Sequence, residues 1–180
     1  MKRSLLRDYG FLIGVAGVIV ALDQWTKYLV RTYLQIGETW VPFDWLRPYA
    51  RIVHWNNTGA AFGIFPSGGG IFTVIAVLVI GAILYYFPQI PRQQVASRIA
   101  LGLQLGGASG NLLDRLYHGP VTDFVSVGSF AVFNVADSCI SIGAVLLVVA
   151  MWVEERRNKE RAGADPVDEN GNRNLEGHSG

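Results

Sequence analysis

Asp137 is the only charged residue between Phe124 and Val153, and the second half of that run, Ile140–Val153, is strongly apolar. A carboxylate carried into hydrocarbon costs about 2.5–3.5 kcal/mol on insertion scales, and such groups mark functional sites by default. Asp123 lies at the mouth of the same segment, fourteen residues earlier (137 − 123 = 14). If the chain between them folds so that its ends approach, two carboxyl groups within hydrogen-bond reach cannot both ionise. One keeps a proton and the other carries a charge. The charged group can deprotonate a water while the protonated one supplies a proton to a leaving amine. That is amide hydrolysis with neither a metal nor a covalent intermediate. Each aspartate also has a plainer reading. Asn134, at i−3 from Asp137, can cap a helix whose first turn holds the acid, but the apolar residues Phe130–Phe133 before it argue that this helix start is itself immersed. Asp123 follows the Gly119–Pro120 turn and, taken alone, reads as an exposed loop residue.

The elements that must position these acids are helices in a membrane. Of 180 residues, 51% are hydrophobic and only 16% charged, with a mean hydropathy of +0.30. A soluble domain carries nearer a quarter of charged residues, and here the charges are clustered. Four spans of near the ~20 residues needed to cross hydrocarbon are expected at about 9–30, 70–87, 97–113 and 133–153, giving an all-α polytopic domain over 1–153. The third is short and Gly-rich. Asp23, Gln24 and Lys27 follow the first apolar core without a small-residue cleavage site, so it is not read as a removable signal peptide. With an even number of spans both termini share a side. That side holds Lys2, Arg3, Arg7, Arg92, Arg98, Arg156, Arg157, Lys159, Arg161 and Arg173, ten of the fifteen basic residues; the other holds Lys27, Arg31, Arg47, Arg51 and Arg115. The excess puts both termini in the cytoplasm and both carboxylates toward the outer face.

Between the first two spans, residues 31–67 carry Trp40, Trp45, Tyr49 and Trp55, aromatics suited to the headgroup zone. Strand-like composition at Arg51–Trp55 and a short interfacial helix or loop at Thr58–Phe65 are expected there. Residues 154–180 are polar and read as a disordered cytoplasmic tail. The net charge of +1 carries no nucleic-acid footprint, the single Cys139 permits no internal disulfide, and His54 and His118 lack metal-site spacing. The triplet Gly68–Gly70 is not followed by the Lys-Ser/Thr of a phosphate loop.

Three further stretches add polar groups beside the spans. Gly102, Gly106 and Gly110 recur every fourth residue, a stripe for close helix packing, with Gly107 off the stripe. Asn111 and Asp114 share a face and Arg115 follows; these could bind or could be structural. Asp23 and Lys27 are an i, i+4 pair, read as a helix-end ion pair with Lys27 reaching for the interface.

The blocks LDQWTK (22–27), NTGAAFG (57–63), GGASGNLLDR (106–115), GPVTDF (119–124) and FNVADS (133–138) together resemble the lipoprotein signal peptidases, the prolipoprotein-processing aspartic peptidases (signal peptidase II) of bacterial inner membranes. They fall in the same order and run from the first span to the fourth. The resemblance implies that Asp123 and Asp137 are the catalytic dyad. It implies that Asn57, Gly107, Asn111, Arg115, Asn134 and Ala136 line the substrate cleft, with Asp23, Lys27 and Asp114 supporting it. It implies prolipoproteins carrying a diacylglyceryl group as substrates, cut just before the lipidated cysteine. It further implies membrane lipid and globomycin-type inhibitors as binding partners, no cofactor, and a monomer. Without it, the intramembrane carboxylates also suit a proton- or cation-coupled transporter, although no internal repeat suggests alternating access.

Overall fold

The computed structural model describes residues 2–59 and 69–164. Among the described residues are four long helices: α1 (Lys2–Tyr33), α2 (Gly69–Tyr86), α3 (Val95–Tyr117) and α4 (Val135–Ala164). Three of them are long and apolar enough to cross a membrane, over Leu5–Tyr33, Gly69–Gln89 and Val135–Glu160, with mean hydropathies of 1.8, 2.4 and 2.0. A helix satisfies every backbone hydrogen bond within itself, which is why such sequences adopt it in hydrocarbon. Their outward side chains are apolar: Ile13, Val18, Val74, Leu78, Val145 and Val148 are all exposed.

α3 differs in kind. It packs against α1, α2 and α4, and its buried face includes Ser97, Arg98, Asn111 and Asp114 among small residues. Leu101 and Leu105 of α3 join Leu12, Ala16, Ile83 and Phe87 in a core shared with α1 and α2. The glycine stripe lets the backbones close up. A Cβ on Gly102 would lie 2.7 Å from Val15 Cγ1, and one on Gly106 would lie 2.6 Å from Ile19 Cβ.

The molecule is not all-α. Strands β1 (Thr39–Trp40), β2 (Ala50–Asn57) and β3 (Val121–Val127) form an antiparallel sheet in that order. β2 contains the strand expected at 51–55, but β3 went unforeseen. Its sequence, VTDFVSV, is rich in β-branched residues, yet neither alternating face is uniformly apolar, because one carries Asp123 and the other Thr122 and Ser126. The strand is buried at Val121–Phe124 on both faces, so the in–out contrast that marks a half-exposed strand is missing.

Two helix ends also differ from expectation. α1 begins at Lys2, and α4 continues past Val153 to Ala164 through polar residues, including an exposed i, i+4 pair of Lys159 and Glu155 at 2.6 Å. The tail expected to be disordered from 154 therefore starts as helix. Length here comes from helix continuation and charge pairing, to which a hydropathy reading is blind. Residues 165–180, and most of the segment expected as an interfacial helix at 58–65, lie outside the described residues.

Candidate active site

Asp123 and Asp137 are brought together by a backbone return. β3 ends near Gly128, whose φ of +52° suits the reversal. The chain then doubles back so that Phe133 bridges Val125, donating to Val125 O at 3.0 Å and accepting from Val125 N at 2.8 Å. α4 starts two residues later. Asp123 on β3 and Asp137 in the first turn of α4 thus open into one cavity of about 660 Å³. Asn57, Asn111 and Arg115 share that cavity, and Phe72, Phe133, Ile140 and Ile142 give it a largely apolar wall.

A bulge in β2 sets the partner of Asp123. Ile52 pairs with Val125 and Trp55 with Asp123, so Val53 and His54 together oppose Phe124. The extra residue shifts the phase of the strand beyond it. Asn57 rather than Asn56 then shares the face of Asp123, and Asn57 Nδ2 donates to Asp123 Oδ2 at 2.9 Å.

Two amides join the acids. Asn134 Nδ2 donates to Asp123 Oδ1 at 2.6 Å and to Asn111 Oδ1 at 3.1 Å. Asn111 Nδ2 donates to Asp137 Oδ1 at 2.7 Å. Among the described residues no direct hydrogen bond links the two carboxyl groups. The orientation of Asn111 is settled from behind: Lys27 Nζ donates to Asn111 Oδ1 at 2.9 Å. An ammonium has no acceptor, so the amide must present oxygen to Lys27 and nitrogen to Asp137.

Lys27 does not reach for the interface as expected. Its side chain is fully buried, 2.8 Å from Asp23 Oδ2 and 3.1 Å from Asp114 Oδ2, both equally buried. Three inward acceptors outweigh solvation for an ammonium already at the end of the bundle. Arg31 adds a contact to Asp114 Oδ1 at 3.4 Å, so two cations balance two carboxylates. Asp114 Oδ2 also accepts the Thr122 N–H at 3.0 Å, which ties the backbone of β3 to α3. Asp23 Oδ1 accepts the Ala136 N–H at 2.9 Å, which ties α4 to α1. Asp114 takes Lys27 and Arg31 as its cations, and its neighbour Arg115 instead faces the cavity, 5.7 Å from the Phe72 ring.

Gly107 and Ala136, which the resemblance implies for the cleft, meet each other between α3 and α4. Ala136 is fully buried, and a Cβ on Gly107 would lie 2.5 Å from Ala136 O and 2.7 Å from Ile140 Cγ1. They form the seam that lets α3 and α4 approach closely behind the site. Asn134 is likewise fully buried, hydrogen-bonded to both Asp123 and Asp137. Sequence reasoning had not assigned Gln24, whose Nε2 donates to Gly110 O at 3.0 Å and Asp114 Oδ1 at 3.2 Å. Its place inside LDQWTK was the available signal.

The electrostatics suit proton transfer near neutral pH. Burial pushes the Asp123 carboxyl up to about 7; the negative charge of Asp137 adds to the rise, and the Asn57 and Asn134 hydrogen bonds oppose it. A carboxyl group poised there can hold a proton or release one.

Comparison with known proteins points the same way. A family-wide sequence profile described as signal peptidase (SPase) II matches residues 15–153. A lipoprotein signal peptidase of Geobacillus kaustophilus is 41% identical over 142 residues, 77% of this chain and 90% of that protein. One from Mesorhizobium japonicum is 41% identical over 159 residues, 86% and 90% of the two chains. A solved bacterial membrane enzyme superposes with a TM-score of 0.75 at 31% identity, covering 83% of this chain and 92% of that one.

Proposed function

This chain belongs to the signal peptidase II family, and on that premise we propose that it is an aspartic endopeptidase that removes signal peptides from diacylglyceryl-modified bacterial prolipoproteins. The observation that carries the reading is the meeting of Asp123 and Asp137 in one apolar-walled cavity, joined through Asn134 and Asn111. In this reading one carboxylate takes a proton from a water placed between them as that water attacks the carbonyl carbon of the scissile bond. The other carboxylic acid protonates the leaving amine. The two exchange roles as the pair resets, so the dyad titrates as a unit. Arg115, at the cavity edge, is placed to hold the carbonyl oxygen as charge develops on it. The cut falls just before the lipidated cysteine.

The fold suits this substrate. α3, enclosed by the other helices, supplies the polar face and serves as a fourth crossing, while α1, α2 and α4 meet the lipid. The basic excess at the ends of α1 and α4 keeps both termini in the cytoplasm of a bacterial inner membrane and turns the dyad to the outer face. The signal helix can then enter laterally along Phe72, Ile140 and Ile142 while the acyl chains stay in the bilayer. One chain supplies both acids, so a monomer suffices, and globomycin-type peptides fit the same cavity as inhibitors. Nothing in the family or the site favours the transporter reading.

The test uses detergent-solubilised full chain, with lipidated precursor and the same precursor lacking the diacylglyceryl group. Cleavage of the lipidated form before its cysteine, with the unmodified form left intact, supports the assignment. Failure to cut either form, with the protein folded, overturns it.

A further inference from the structure

Gln104 of α3 carries the one buried side-chain nitrogen or oxygen among the described residues that has no hydrogen-bond partner, its Nε2. Its amide oxygen has no partner there either. Buried polar groups are otherwise satisfied, and each exception needs a physical cause. A methionine would fill the same space without leaving a donor unpaired, so packing alone does not account for an amide. α4 makes room for it with Gly143, where a Cβ would lie 2.9 Å from Gln104 Cγ.

Gln104 lies seven residues before Asn111 and eleven before Arg115 (111 − 104 = 7, 115 − 104 = 11). Those separations are close to two and three helical turns, so the three residues share one face of α3. Asn111 and Arg115 line the candidate active site, and Arg115 lies against Phe72 of α2. Gln104 thus continues their polar line inward. On α4 the cavity wall runs from Asp137 through Ser138 and Ser141 to Ile142. Ser141 is exposed there. Its hydroxyl makes no back-bond of the kind that joins Ser138 to Asn134 O, Thr26 to Leu22 O and Thr73 to Gly69 O. Two unengaged polar groups therefore stand beside the proposed entry path. A signal helix arriving along that path must uncoil before its scissile bond reaches the dyad. Uncoiling frees carbonyl oxygens at the helix C-terminus, and in hydrocarbon each needs a donor from the protein. Asn111 and Gln104 are separated by about 10 Å along the helix axis, a length that an extended peptide covers in about three residues.

We propose that Gln104 donates Nε2 to a backbone carbonyl oxygen of the signal peptide, freed about three residues before the cut. This rests on the peptidase reading and adds a binding contact to it. The test measures cleavage of a synthetic lipidated precursor by the detergent-solubilised full chain. Gln104→Met keeps the side-chain volume and should raise KM about fivefold, the scale of one neutral hydrogen bond. kcat should stay unchanged, as for a contact made equally in the ground and transition states. Tm should hold or rise, because an unpaired donor has gone. In further precursors an ester, whose carbonyl is a weaker acceptor, replaces in turn the peptide bond after the second, third or fourth residue before the cut. At one of these positions the ester should weaken cleavage by the wild type and add no further loss in Gln104→Met. An unchanged KM, a fall in Tm with loss of kcat, or additive losses at all three positions would overturn the proposal. A wild-type chain that leaves the lipidated precursor uncut would contradict the peptidase reading itself. One that cuts it as readily as Gln104→Met does would contradict this inference alone.

Discussion

Asn134 and Asp137 cap each other. Asn134 Oδ1 accepts the Asp137 N–H at 2.9 Å, and Asp137 Oδ2 accepts the Asn134 N–H at 3.3 Å. The same two side chains reach Asp123 and Asn111 through their remaining polar atoms. The plain reading of Asp137 as a helix-start residue therefore holds, and it is compatible with the proposed catalytic one: the cap fixes the rotamer that aims the acid into the cavity. Asp137→Ala is expected to lose the cap as well, costing roughly 0.5–2 kcal/mol of stability. Thermal unfolding of the alanine and asparagine variants side by side checks this, with Asp137→Asn expected to stay nearer wild type.

The raised pKa of Asp123 makes a signed prediction for stability. Unfolding returns the carboxyl to its ordinary value of 3.8 from about 7. Between those values the folded state binds more protons than the unfolded state, so this group's contribution is fully present below about pH 4 and is lost as pH rises through 7. The difference in Tm between wild type and Asp123→Asn should fall across that window. A difference that stays constant from pH 4 to 8 would refute the shift.

Asn57 opposes that rise by donating to Asp123. Asn57→Ala removes a hydrogen bond to the charged form, so the pKa of Asp123 should move further up. The pH–rate profile for precursor cleavage should shift to higher pH on the limb that reports this group, which a variant that merely loosened the fold would not produce.

The Lys27 cluster gives a stability prediction. Lys27→Met leaves Asp23 and Asp114 buried against too little positive charge, a loss on the scale of 3–5 kcal/mol. Adding Asp114→Asn in the same chain should recover part of it, read as a rise in Tm over the single variant.

Behind the site, Gly107→Ala places a methyl against Ala136 O and Ile140. Overpacking of this kind costs about 1–3 kcal/mol. A Cβ on Gly14 of α1 meets nothing within 4 Å, so Gly14→Ala should be neutral or stabilising by about 0.5–1 kcal/mol. Opposite shifts in Tm for the two variants are the expected outcome.

Much of this was legible in the sequence because hydropathy and isolated charge are strong signals. Three of the four helices announce themselves by length and apolarity, and Asp137 by standing alone in an apolar run. The missed features share one cause: they are settled by neighbours distant in the chain. Lys27 resembled an interface residue because its acceptors, Asp114 and Asn111, lie on another helix. β3 resembled a loop because its two faces meet different surroundings, the cavity at Asp123 and Arg31 at Thr122. The close approach of Gly107 to Ala136 at the α3–α4 seam depends on which way a helix face turns, and that is set by the partner helix.

Cleavage of a lipidated precursor by purified Asp123→Asn and Asp137→Asn proteins bears on the dyad with the fewest intervening assumptions. Each variant should keep a cooperative unfolding transition and lose at least about 10²-fold in kcat, the lower range for removing a positioned acid or base. Turnover at the wild-type rate in either one would mean that the two carboxyl groups meeting in this cavity do not perform the chemistry.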